Sequence, residues 1–580
     1  MGVSIPEPLR LTKRASPAIY LPALSLFIIV SPFILRQIIA DHSDLDLPWP
    51  GRQVIPSILF LRGYLETDFF SGSTNSSVYA ISAKILSAIL PANTDQMLAA
   101  FDTLSILLKY TVLWLAVILL VRFCCYFWIS NQLIVKKQLT EIRLIFYIYF
   151  SFLVGAVADR FIDARFLLLL RPAHVADWDF PYSSLNPSGI SCLLILLALI
   201  PCYSGQRLEA PKAKNNVGLS AAIVLAFFAA SIIHPVVPLF GLGLFLVSWL
   251  LFMRTEGILN RWLRLFLAGS CAWATAAVCI KIMFPQGAIN AAEFYKIYVE
   301  QRHAHHYLPS DYLKASFKPL VLNLGILLVT MLLSIRYQRL RPARTLAVAS
   351  LVVLVAIHGT QYLFVEYLHL SSFVILGITR ISGLYEFLYA CVIATLFLFV
   401  LERFRRRKKA VAHLAFSTPR HVDRVLSFTA WPGSLALAIA IALAAGTHYK
   451  MVYASIPNSN ERMLQNEFDR NSIPYPRQII FDDSIWRKNA FNALREVGGF
   501  DVYGDYYFPF SMGEIIEWNN RMLAKESFLD CLKRENTLSS CHFPDPGHKP
   551  LYFVSLQAYE GMTPTFKADI NGTAAYIYLL

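Results

Sequence analysis

The sequence predicts an α-helical polytopic membrane protein of about eleven transmembrane helices, with a small C-terminal extracytoplasmic α/β domain. Three observations lead there. The 580 residues are 56% hydrophobic and only 16% charged, whereas soluble chains are nearer one quarter charged. Apolar runs long enough for a bilayer recur along the chain. The last stretch loses those runs and reads as short strands and helices. The composition excludes a soluble multidomain enzyme, and disorder as well, because disorder needs low hydrophobicity.

The first run, Ala18 to Ala40, follows Arg10, Lys13 and Arg14. It exceeds the apolar core of a signal peptide, about 7–15 residues, and Ile38-Ile39-Ala40 is a poor cleavage site. It therefore reads as an uncleaved span with a cytoplasmic N-terminus. Further runs lie near 104–131, 143–158, 189–203, 217–233, 236–253, 263–284, 319–335, 344–363, 383–401 and 434–448.

The net charge of +14 is read by its distribution. Alternate short loops carry Lys136, Lys137 and Arg143, then Arg207, Lys212 and Lys214. Arg254, Arg261 and Arg264 follow, then Arg336, Arg339, Arg341 and Arg344, and finally the run Arg403 to Lys409 with Arg420 and Arg424. Positive charge in short loops marks the cytoplasmic side. It fixes topology or meets anionic lipid, so nucleic acid is not an expected partner. An odd span count then places the C-terminus outside. The expected setting is a bacterial inner membrane.

Two units result: a bundle over 1–449 and a domain over 450–580. The first outer loop, 41–103, holds two weakly apolar stretches near 52–64 and 78–90 that read as interfacial helices. A second outer loop, 285–318, is polar and rich in His and Tyr. In the tail, Gln478 to Phe481 reads as a strand and Asn489 to Val497 as a helix stopped by Gly498-Gly499. Glu514 to Leu532 reads as a longer helix, and Leu551 to Leu556 and Ala574 to Leu580 as strands. Cys531 and Cys541 lie ten residues apart in the outer tail, where an oxidising compartment suggests one disulfide. The other cysteines sit in or beside spans as small core residues. Asn75-Ser76-Ser77 and Asn571-Gly572-Thr573 are sequons.

Candidate chemistry gathers at the outer face. Asp41, Asp44 and Asp46 open the first loop, and Glu66 and Asp68 lie in YLETDFF (64–70). Such pairs can hold a divalent cation or supply a general base; otherwise they are solvated, helix-capping acids. No other cofactor is called for. His234-Pro235 ends a span. Arg302, His305 and His306 suit an anionic phosphate, and Arg380 lies in an apolar stretch where an isolated charge needs a partner.

This layout resembles the GT-C superfamily of integral membrane glycosyltransferases, which use polyprenyl-phosphate sugars. YLETDFF, His234-Pro235, RHAHHYLPSDY (302–312) and EWNNR (517–521) further resemble the DUF6798-type group of bacterial membrane proteins. The resemblance implies an acid of the first outer loop as base or metal ligand, best matched by Asp68 and Glu66, with Asp41, Asp44 and Asp46 as rivals. It implies Arg302, His305, His306 and Arg380 as holders of the lipid phosphate. The expected function is transfer of a sugar from a polyprenyl-phosphate donor to a glycan, lipid or protein acceptor at the outer face. The rival expectations are a lipid or polysaccharide-precursor transporter or flippase, and a non-enzymatic scaffold for envelope assembly.

Overall fold

The computed structural model describes residues 51–65, 68, 71–72, 79–130, 185, 187–203, 214–283, 291–302, 304–311, 317–370, 373–374, 387–389, 391–393, 395–396, 399, 430–482, 495, 497–498, 500–503, 514–543, 550–570 and 572–580. The first expected span, the run near 143–158 and the basic stretch 403–409 lie outside them, as do Asp41, Asp44, Asp46, Glu66 and Arg380.

Two helices of the first outer loop come first, α1 (Gly51–Leu61) and α2 (Tyr79–Ile89), followed by α3 (Thr94–Ser130). The bundle continues with α4 (Pro187–Cys202), α5 (Lys214–Ile233), α6 (Val237–Glu256), α7 (Arg261–Met283), α8 (Phe317–Arg336) and α9 (Arg341–Gln361). A π-helical turn, Tyr362–Tyr367, extends α9, and α10 (Ala430–Ser455) leads into the tail. The expected apolar runs thus coincide with helices wherever the described residues cover them whole.

Two of these helices are long and apolar enough to cross a membrane, Arg261–Met283 and Ala343–Tyr367. Five shorter apolar helices accompany them. The expected count of eleven therefore stays an expectation. Only 17% and 28% of the most apolar windows of those two helices are buried. A core helix of a soluble protein would be mostly buried, and a signal sequence would lie near the N-terminus. Here Leu267, Val278 and Ile282 on α7, and Val352 and Val355 on α9, face outward. Hydrocarbon is the environment in which such faces cost nothing.

Close helix approach depends on small residues. The buried positions of α7 are Trp262, Gly269, Ala272 and Ala276. A Cβ at Gly269 would lie 2.8 Å from Leu242, and one at Gly241 of α6 would lie 2.7 Å from the Phe227 ring. The fully buried Phe227 of α5 is thus wedged against both glycines. Without a hydrophobic drive between helices in lipid, packing of this kind holds them together.

The tail holds α11 (Asn460–Arg470), β1 (Gln478–Phe481), β2 (Asp501–Val502), α12 (Ile515–Glu535), β3 (Leu551–Ser555), β4 (Phe566–Ile570) and β5 (Thr573–Leu579). The sheet order is β2-β1-β3-β5-β4. The pairs β1–β2 and β1–β3 are parallel, and β5 runs antiparallel to both β3 and β4. Strands β1 and β3 are buried at every position, because helices cover both faces. Ile479, Phe481 and Val554 pack with Leu464 and Phe468 of α11. Ile480 and Phe553 pack with Phe528, Leu529 and Leu532 of α12. Helix α12 ends at Asn536, whose left-handed backbone (φ 50°) lets its N–H reach the Leu532 carbonyl. Cys531 and Cys541 form a disulfide that ties α12 to the segment after it.

Some tail readings change. The helix expected over 489–497 is described only at 495 and 497, and both lie in turns. Strand β4 is an addition to the expected strands, and FKADI carries its signal, alternating buried and exposed residues as an edge strand does. Its hairpin partner was signalled by Asn571-Gly572, an Asn-Gly turn sequence. Ile570 pairs with Thr573, and Gly572 has φ 78°.

Replacing Gly241 by leucine is expected to cost about 1–3 kcal/mol through overpacking against Phe227. Thermal melts in detergent read it as a lowered Tm, with Gly446→Ala, where no atom lies within 4 Å, as the control that leaves Tm unchanged or raises it, since Ala favours a helix interior over Gly.

Candidate functional site at the junction of bundle and tail

Asp68 follows α1 in a tight turn. Its carboxylate Oδ2 accepts hydrogen bonds from the Ser71 backbone N–H (2.8 Å) and hydroxyl (2.6 Å). The Arg495 Nε donates to Oδ1 (2.9 Å) and Oδ2 (3.1 Å). The same guanidinium donates from Nη2 to the Val502 carbonyl at 3.1 Å, where β2 ends. Both side chains are buried. Beside the pair, Val497 and Ile456 enter an apolar cluster with Val54, Ile55, Ile58, Leu59 and Leu65. The first outer loop is therefore joined to the tail by a buried ion pair inside an apolar contact.

In this arrangement Asp68 is enclosed. Both oxygens are engaged by Arg495 and Ser71, and the residue is 2% exposed. An acceptor hydroxyl could reach the carboxylate only after the tail moved away. As it stands, Asp68 is a strut between loop and tail.

The second junction brings two of the sequence motifs together. Residues 291–294 and 304–307 are helical turns flanking a π-helical stretch, Tyr295–Arg302. Arg302 Nη1 donates to Glu526 Oε1 at 2.5 Å, and Nη2 to Oε2 at 3.3 Å. Its Nε and Nη2 each donate to Asn519 Oδ1 at 3.3 Å, and its guanidinium lies over the Trp518 ring. Trp518 and Asn519 belong to EWNNR on α12. Around them Phe294, Ile297, Val299, Val365, Trp518 and Met522 form one apolar cluster. Tyr295 donates to the Val365 carbonyl (2.7 Å), and Gln361 Nε2 to the Tyr307 carbonyl (2.9 Å). Arg302 is thus held by the tail, not presented to bulk water. His305 and His306 lie in the turn Ala304–Tyr307 just after it.

His234 is buried where α5 ends, and the Pro235 carbonyl accepts from Trp273 Nε1 at 2.7 Å. Among the described residues Asp68 meets Arg495 and Arg302 meets Asn519 and Glu526, so the tail holds them through different side chains.

Three further contacts had no sequence expectation. Asp95, in the first turn of α3, pairs with Arg462 of α11. About two turns further along α3, Asp102 Oδ2 meets His448 Nε2 of α10 at 2.7 Å, both buried. Arg62 caps the end of α2 by donating to the carbonyls of Pro91 (2.7 Å), Ser87 (2.8 Å) and Leu90 (3.0 Å). The only signals in the sequence were lone charges beside apolar runs.

In the tail, Asp482 ends β1. Its Oδ2 accepts from Ser555 (3.1 Å) and Tyr559 (3.2 Å), both beyond or at the end of β3. Burial, and then the neighbouring Asp482, push the Tyr559 hydroxyl up to about 12, so it remains a donor. Strands β1 and β3 lead off to opposite sides of the sheet here, which is where open α/β sheets commonly bind ligands. Among the described residues no three His, Cys, Asp or Glu gather as a metal site. The acids expected to hold a cation, Glu66, Asp41, Asp44 and Asp46, lie outside them.

No protein-family model matches the chain, and no curated protein matches it. Among solved structures, the apo form of the oligosaccharyltransferase of Archaeoglobus fulgidus is similar over 93% of this chain and 69% of that chain. The identity is 12% and the TM-score 0.38. That degree of overlap is too low to define a common fold.

Losing one partner of the buried pair leaves the other charge unpaired. Arg495→Ala or Asp68→Ala alone should therefore cost about 3–5 kcal/mol. Replacing both, Asp68→Leu with Arg495→Met, should cost clearly less than the sum of the two. A double-mutant cycle on thermal unfolding measures the difference.

Proposed function

We propose that this chain is an integral membrane glycosyltransferase that takes a sugar from a polyprenyl-phosphate donor and passes it to a hydroxyl acceptor at the outer face. The observation that carries the reading is the double clamp of the tail domain. It is fixed to the first loop through Asp68–Arg495 and to the second through Arg302–Glu526–Asn519. The clamp ties Asp68 of the first loop and Arg302 of the second to one and the same domain. Transfer from a lipid phosphate calls for a pairing of a base and cationic donors beside lipid.

In this reading a carboxylate of the first loop takes the acceptor O–H proton as the oxygen attacks the anomeric carbon. The bond from that carbon to phosphate oxygen breaks, and the phosphate leaves with the electron pair. Glu66, Asp41, Asp44 and Asp46 are the candidates for the base. Asp68 acts as a positioning residue for Glu66, two positions away. His305, His306 and Arg380 are the donors to the leaving phosphate, with His234 at the bundle's rim, and Arg302 orders their loop. Glu66, or Asp44 with Asp46, would hold a divalent cation if transfer falls on chelation.

The test uses purified full-length protein in vesicles with a polyprenyl-phosphate sugar. Replacing the base by its amide should lower transfer by about 10²–10⁴-fold and leave insertion intact. Unchanged transfer in Glu66→Gln and in Asp41→Asn, Asp44→Asn and Asp46→Asn variants would overturn the assignment of the base to the first loop, and no transfer by the wild type would overturn the enzyme reading. Movement of the lipid-linked sugar across the vesicle without transfer would instead support a transporter. A strut and a base also separate at Asp68: the swap Asp68→Arg with Arg495→Asp should restore activity lost in Asp68→Asn only if Asp68 is a strut.

A further inference from the structure

The opposite end of the bundle holds a second polar site that the outer-face chemistry does not use. Helix α3 is the ruler. Asp95 at its start meets the tail, and Tyr126 near its end meets Trp262 of α7 at 5.6 Å between rings. The two positions are about 47 Å apart at about 1.5 Å per residue, so the second site lies a full membrane thickness from the clamp.

There, three consecutive residues at the start of α7 carry four buried donors. They are Asn260 Nδ2, Arg261 Nε and Nη2, and Trp262 Nε1, and none has a hydrogen-bond acceptor among the described residues. Asn260 is 5% exposed and Trp262 fully buried. The Asn260 side-chain oxygen already accepts the backbone N–H of Trp262 (3.0 Å) and Leu263 (3.2 Å), which places its amide at the helix N-terminus. The Arg261 guanidinium lies over the rings of Trp262 (4.5 Å) and Tyr126 (4.9 Å). Those rings fix its direction and leave its edge donors open. Four orphaned donors are costly in an apolar setting, and a helix N-terminus adds partial positive charge. Together they specify an oxyanion. The guanidinium edge fits the two oxygens of a phosphate.

The surroundings indicate the source of that phosphate. The loop joining α6 to α7 turns at Gly257 (φ 86°) and presents Ile258 and Leu259, 69% and 80% exposed. Trp249 Nε1 holds it by donating to the Ile258 carbonyl at 2.8 Å. Two bare aliphatic side chains at a loop tip, beside buried aromatic rings and an Arg, suit the boundary between headgroups and acyl chains.

We propose that the first turn of α7 binds the phosphate of an anionic membrane-lipid headgroup, through Asn260, Arg261 and Trp262, at the end of the bundle away from the tail. The experiment is native mass spectrometry of the full chain released from detergent after titration with phosphatidylglycerol. Diacylglycerol serves as the phosphate-free lipid and inorganic phosphate as the free anion. Phosphatidylglycerol should be retained by the wild type, and Arg261→Gln should weaken it about tenfold or more, the loss of a charge-assisted hydrogen bond. Arg261→Lys should lose less. Trp262→Phe removes a single N–H while keeping an aromatic ring, and should weaken binding; because the smaller ring leaves a cavity at a fully buried position, both variants are compared at a temperature below the onset of their own melts, which guards against a misfolded Arg261 variant. Glu526→Gln, at the far end, should leave retention unchanged. Equal retention by wild type, Arg261→Gln and Trp262→Phe would overturn the proposal, as would equal retention of diacylglycerol. Displacement of the lipid by inorganic phosphate would overturn the lipid assignment in favour of a free anion.

Discussion

The Asp68–Arg495 pair is the contact on which the junction of bundle and tail depends. It is a carboxylate and a guanidinium with almost no exposure to water. Bringing both there is expensive, and their attraction offsets that cost only with good geometry and extra hydrogen bonds. Both conditions hold. The Arg495 Nε lies near both oxygens, Ser71 supplies two more donors, and a second guanidinium nitrogen meets the Val502 carbonyl. What the pair gives in return is register. An apolar patch such as the one around Val497 tolerates sliding, but a buried ion pair has one satisfied arrangement.

The remaining outer contacts repeat the logic with less burial. Arg302 reaches α12 through a half-exposed Glu526, so its bridge is screened and weaker. The apolar cluster around Trp518 supplies most of the attraction there, and the Arg aligns it. Asp95–Arg462 and Asp102–His448 tie α11 and α10 to the start of α3. Helix α3 thus carries the tail at one end and, some nine turns on, the aromatic cage around Trp262. One long helix links a tail-side end built from ion pairs to an opposite end built from stacked rings and donors without an acceptor among the described residues.

Much of the layout was legible from residues. Apolar length marked the bundle helices, because a bilayer imposes a minimum run whatever the partners are. Continuous hydrophobicity marked β1 and β3. Edge strand β4 escaped because its charged Lys567 and Asp569 break that signal, although the Asn-Gly turn announced its hairpin. At the outer site, the motifs YLETDFF, RHAHHYLPSDY and EWNNR were visible as unusual clusters. That Arg302 and Asn519 touch, 217 residues apart, was not visible. Nor was Arg495, an ordinary Arg in a stretch that reads as helix.

Composition and periodicity by themselves determined that the chain is a largely apolar helical protein with a small sheet-bearing tail and charge gathered in short loops. These follow from local physics, the apolar length of a run and the alternation of a strand, which need no knowledge of partners. Tertiary structure decided what each charge is for. Asp68 has the same local sequence whatever its partner, and only the fold brings a guanidinium 427 residues away against it. Asn260, Arg261 and Trp262 likewise read as an ordinary helix start. Their four donors become a site only because burial withdraws water and the described fold supplies no acceptor in its place.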